Sequence, residues 1–97
     1  MNYFFAPEAE DELQDAIAYY EKCQEELGLD FAAEVYSAIN RVIAYPKAWP
    51  VLHNGNERRC QTERFPFGII YSEQLEGIYV LAIMHLHKEP GYWKHRR

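Results

Sequence analysis

Cysteine is scarce in this chain of 97 residues, where only Cys23 and Cys60 occur and no CxxC spacing exists. That argues against a disulfide framework or a thiolate metal site, and two reduced, packed thiols are expected. Long apolar runs are also missing. The longest, YVLAIM, falls far short of the roughly 20 residues that a membrane helix needs. The opening MNYFFAPEAEDE lacks the cationic start of a secretion signal. The reading is a soluble, cytoplasmic protein with no membrane partner. Positive charge is in deficit, with 10 Lys and Arg against 15 Asp and Glu and a net charge of -5, which excludes a surface that grips nucleic acid all over. No repeat or low-complexity segment appears, and no Cys or carboxylate cluster accompanies His53, His85 and His87 at metal-ligand spacing. Neither a metal nor a cofactor is expected.

What is present is a globular composition, 48% hydrophobic and 15% aromatic, in a length that allows one domain over residues 1–97. The charge is unevenly divided. Residues 1–50 hold ten acids and three bases, whereas residues 51–97 hold five acids and seven bases. The last stretch, HLHKEPGYWKHRR, sets Lys88, Lys94, Arg96 and Arg97 against Glu89 alone.

Periodicity orders the elements. Tyr3, Phe4 and Phe5 form strands readily, and Pro7 ends what precedes it. From Pro7 the spacing of Leu13, Ala16, Ile17, Tyr20 and Leu27 predicts a helix that Gly28 terminates. Asp30 can cap a second helix through Phe31, Val35, Ala38, Ile39 and Val42, closed by Pro46. So short a link makes the pair an antiparallel hairpin. Three strands follow near ERRCQTE, FPFGIIYS and GIYVLAIMHLH. In the last, alternation puts Val80, Ala82, Met84 and Leu86 on one face and Leu81, Ile83, His85 and His87 on the other. Both faces are apolar, so the side away from the helices needs a cover, and Trp93 in the tail is the candidate. Tyr19, Tyr20, Tyr36 and Tyr45 are expected in the core or between the helices. The architecture is a two-layer α+β domain, β-α-α-β-β-β, with the helix hairpin on a mainly antiparallel sheet.

The ordered combination of LGLDF, YPKAWP, a basic pair before RFPF, and His85 three residues before a cation with PGYW following resembles the RelE/ParE superfamily of toxins from bacterial type II toxin-antitoxin systems, closest to the ParE-like, plasmid-stabilisation type. The resemblance runs along almost the whole chain. It implies a growth-inhibiting toxin encoded beside an antitoxin that wraps and neutralises it, and two biochemistries: RelE-like members cut messenger RNA on the ribosome, ParE-like members poison DNA gyrase.

For cutting, a 2'-hydroxyl attacks the neighbouring phosphate, which calls for a base, an acid and cations on the phosphate. The candidates are His85 as acid-base group, Arg59, Arg64 and Lys88 as phosphate contacts, with Tyr92 a further proton donor or acceptor. Lys88 stands where the family often has Arg, and a lysine cannot hold phosphate in bidentate fashion. With a pI near 5.3, this favours the gyrase-binding, ParE-like activity over the ribonuclease. Arg58, Arg59, Arg64, Trp93 and Arg96 are the candidate contacts to antitoxin or target, with Arg58 and Arg59 on opposite strand faces.

Overall fold

A computed structural model of the chain describes residues 2–52, 55–89 and 91–96. The order is β1 (Asn2–Phe5), α1 (Pro7–Cys23), α2 (Leu27–Ala44), β2 (Glu57–Gln61), β3 (Phe67–Gln74) and β4 (Gly77–His85). The hairpin-linked strands β2, β3 and β4 pair antiparallel, and β1 joins the far side of β4 in parallel, for a sheet order β1-β4-β3-β2. The sheet is thus mainly antiparallel and carries both helices on one face.

Pro7 opens α1, where its missing N–H would have no partner anyway. The link to α2 differs from expectation. Helix α2 begins at Leu27, so Gly28 lies within its first turn and does not terminate α1. The cap comes from α1: the Glu21 carboxylate accepts hydrogen bonds from the backbone N–H groups of Glu26 (2.9 Å) and Gly28 (3.0 Å). Those are two of the donors that a helix start leaves open. Asp30 therefore sits inside the helix instead of capping it. Gly28 is needed for approach, since a Cβ there would lie 2.6 Å from the Ile17 carbonyl oxygen.

Between helices and sheet, Leu13, Phe31, Val35, Ile39, Ile69, Val80 and Ile83 form the main core. Tyr20 closes one end against Phe31 and Phe65, with ring centroids 5.2 and 4.8 Å away. Tyr19, Tyr36 and Tyr45 do not share that role. They are exposed, because Tyr19 and Tyr36 lie off the buried stripes of α1 and α2 and Tyr45 follows the last residue of α2. Cys60 is buried as expected, but Cys23, at the end of α1, is exposed.

The faces of β4 correct the strict alternation. Ile70 pairs with Ala82 and Tyr71 with Val80, so Leu81 is an extra residue in a β-bulge. Val80 and Ile83 both reach the helix-side core, whereas Ala82 and Met84 lie with Ile70, Leu81 and Trp93 on the outer face. The strand ends at His85, and Leu86 and His87 belong to the following turn. The tail then folds back in turns, Lys94 N–H to Gly91 carbonyl and Arg96 N–H to Trp93 carbonyl, and Trp93 seals the outer face at 3% exposure. The expectations placed on His53, Pro90 and Arg97 fall outside the described residues.

Candidate functional site

Strand β1 covers β4 only as far as Val80. Beyond that point β4 has an open edge, which costs free energy unless its polar groups find partners. Side chains supply them. Glu12 Oε1 accepts the Ile83 N–H at 3.0 Å, and Arg96 Nη1 donates to the Leu81 carbonyl at 3.0 Å. Between them the two residues form a forked pair, Arg96 Nη1 to Glu12 Oε1 at 2.9 Å and Nη2 to Oε2 at 3.1 Å. Tyr92 adds its hydroxyl to Glu12 Oε2 at 2.8 Å. This cluster is the missing strand in side-chain form.

Burial and the Glu12 contact both push the Tyr92 phenol up. Burial alone would lower Arg96, but its bonds to Glu12 outweigh that and raise it. Tyr92 is therefore a hydrogen-bond donor at neutral pH. Two cations approach its ring, Lys88 Nζ at 4.8 Å and the Arg96 guanidinium at 4.9 Å from the centroid.

Next to this cluster lies a groove of about 600 Å³ between α1, the end of β4 and the tail. His85 and Lys88 line it, together with Asp15, Tyr19 and Phe67. His85 packs edge-on to Phe67 at 5.1 Å, and its Nδ1 accepts the His87 backbone N–H at 3.1 Å. Two carboxylates, Glu12 and Asp15, face the same space.

The sequence-derived site residues do not all meet there. His85 and Lys88 share the groove, whereas Arg59 lies on the outer face, where it lines cavities with Trp49, Leu52, Met84 and Trp93. Arg64 is on the β2–β3 loop. That loop is held to α2 by Glu34, which accepts the N–H groups of Glu63 and Arg64. The Arg64 side chain lies 3.6 Å from Asp30 and 5.2 Å over the Phe65 ring, with 58% exposure. Arg58 sits on the other face from Arg59 and donates to the Trp49 carbonyl. Trp93 and Arg96, expected as partner contacts, are buried within the chain at 3% and 8%.

Glu12 was missed because it stands among Glu8, Glu10 and Asp11 in an acidic run. The signal that distinguishes it is positional. It lies three residues after Ala9 and four before Ala16, on the stripe that α1 buries.

No curated protein matches the sequence. Among solved structures, the chain is similar to one from the chromosomal ParDE TA system from P. aeruginosa, with a TM-score of 0.77 and 18% identity over 90% of this chain and 97% of that one. At that identity the likeness speaks for the fold. The family-level match is broader in meaning, since residues 3–90 fit the family described as ParE toxin of type II toxin-antitoxin system, parDE. This match over nearly the full length leads to one assignment: the chain belongs to the ParE toxin family of type II toxin-antitoxin systems.

Proposed function

We propose that this toxin acts by binding a protein target, DNA gyrase, and that a cognate antitoxin neutralises it. The observation that carries the reading is the separation of the cutting candidates: His85 and Lys88 line the groove on the helix side, and Arg59 lies on the opposite face of the sheet. A ribonuclease site needs its acid-base group and its phosphate cations around one scissile phosphate. The groove also carries Asp15, which repels phosphate, and Tyr92 is engaged as a donor to Glu12, whose charge Arg96 already pairs. Groups so arranged suit a binding surface better than a phosphodiesterase centre. Arg59 and Arg64 are the proposed charged contacts to protein partners.

Purified protein added to gyrase should inhibit supercoiling or trap cleaved DNA, and unchanged gyrase would remove the target. The competing reading is ribosome-dependent messenger RNA cleavage. It would replace this one if programmed ribosomes showed cleavage that His85→Ala abolished.

A further inference from the structure

On the outer face a cavity of about 240 Å³ opens between β2, β3, β4 and the tail. Its floor is apolar: Ile70 and Met84 are fully buried or nearly so, at 0% and 2% exposure. Arg59 and Lys94 supply two cations to the lining, no acid contributes to it, and neither cation makes an ion pair among the described residues. The Arg59 stem lies flat against the backbone at Gly68, where a Cβ would come within 2.9 Å of its Cγ and Cδ. Trp93 forms another wall, and its buried Nε1 has no hydrogen-bond acceptor among the described residues. A buried donor without an acceptor is rare and costly in native structures. Two unpaired cations around a small, largely apolar pocket, with no acid among the described lining residues, form a site suited to an anion.

We propose that this cavity is a carboxylate-binding site that takes a glutamate side chain presented by a polypeptide partner. The inference rests on the reading of the chain as a toxin with a protein partner, and names the chemistry of one contact. Glutamate fits both halves of the cavity: its methylenes lie against the apolar lining of Leu52, Met84 and Trp93, and its carboxylate meets Arg59 in a forked geometry. A phosphate group brings no apolar surface to that floor. A nucleic acid must also approach a chain of net charge -5.

The test is an NMR titration of the ¹⁵N-labelled full chain with N-acetylglutamate amide, with N-acetylglutamine amide and inorganic phosphate as comparison probes. Trp49 and Trp93 are the only two tryptophans, so the Trp49 indole N–H serves as an internal control. The Trp93 indole resonance should move saturably with the capped glutamate while Trp49 stays still. Lys94→Gln and Arg59→Gln should each weaken that response by roughly five- to tenfold. Lys94 is exposed, so its variant reads the charge without disturbing the core. An unmoved Trp93 resonance, or an equal shift with the capped glutamine, would overturn the site. Tighter binding of phosphate than of the capped glutamate would overturn it in favour of a nucleic-acid ligand. Failure of the toxin reading appears elsewhere, as induced expression without growth arrest, while the indole resonance reports on the cavity itself.

Discussion

The Glu12 carboxylate on α1 grips the Arg96 guanidinium 84 residues further along, through contacts of 2.9 and 3.1 Å. The same two side chains satisfy the Ile83 N–H and the Leu81 carbonyl where β1 no longer accompanies β4. A helix, a strand edge and the tail are thus tied at one point.

Glu12→Ala should therefore lower stability by about 3 kcal/mol, because it leaves Arg96 buried without its counter-charge and Ile83 N–H without an acceptor. Urea unfolding would measure it. Adding Arg96→Ala should cost less than the sum of the two single changes, since the second removes a charge that the first had already stranded. Additive losses would mean that the pair does not act as a unit.

How much of this was legible in the sequence follows from what sets each feature. The helices could be read from Leu13, Ala16, Phe31, Val35 and Ile39, whose spacing is enforced by one shared core. The three later strands and the Trp93 cover were legible for the same reason, as apolar residues that need burial. The start of α2 was not, because its cap comes from Glu21 on the other helix, a tertiary contact with no local pattern. Leu81 reads like any strand leucine, yet as an inserted residue it shifts every later side chain on β4. Site residues fared worst: His85 and Arg59 are near in type and function on paper, but the sheet stands between them.

Gly28→Ala sets two effects against each other. Alanine gains at most about 1 kcal/mol over glycine in a helix, the figure for an interior position, and Gly28 lies in the first turn. The new Cβ would lie 2.6 Å from the Ile17 carbonyl oxygen, and relief requires the helices to part, a kind of overpacking worth about 1 to 3 kcal/mol. The contact is with backbone, so the clash should win. A net loss of up to about 2 kcal/mol in chemical denaturation is the expected outcome, and a rise in stability would show that the hairpin has slack.

Alkaline unfolding tests the buried phenols. Burial lifts Tyr71, whose hydroxyl donates to the Pro46 carbonyl, to about 12, and burial with the Glu12 contact lifts Tyr92. Both folded values exceed the unfolded value of about 10. Their contribution is complete below about pH 10 and declines above it, by up to about 1.4 kcal/mol per pH unit for each group. The double variant Tyr71→Phe, Tyr92→Phe should lose about 1 kcal/mol per hydrogen bond at neutral pH. Its urea midpoint should then depend less on pH than that of the parent as pH rises above about 10.

His85 separates the two toxin activities in cells. If the chain acts by binding, His85→Ala should still arrest growth on induced expression, since the residue is half-buried against Phe67 at the end of β4 and has no reacting atom to serve. The check is colony formation together with the melting temperature of the purified variant. Loss of arrest with an unchanged melting temperature would point back to messenger RNA cleavage.

Binding of an antitoxin should depend on charge at two places on the toxin. Arg64 is 58% exposed and meets only Asp30 among the described acids, itself 53% exposed, so this pair holds the side chain weakly and leaves it available. Arg59 has no ion pair among the described residues. An acidic partner segment that engages both should associate faster at low salt, with the rate falling as ionic strength rises. Binding specific to the folded toxin should also raise its melting temperature, in line with about 2.7 kcal/mol of stabilisation at a free concentration 100 times the Kd. Replacing Arg59 and Arg64 together by alanine should slow association by roughly tenfold and flatten the salt dependence, and loss of the forked Arg59 contact should also speed dissociation. Stopped-flow mixing of the toxin with a synthetic peptide of the antitoxin's C-terminal segment, at several salt concentrations, measures the rates, and thermal unfolding of the same mixtures measures the melting temperature. A salt dependence identical in the parent and the double variant would place the electrostatic contact elsewhere on the toxin, and an unchanged melting temperature would remove that segment as the partner.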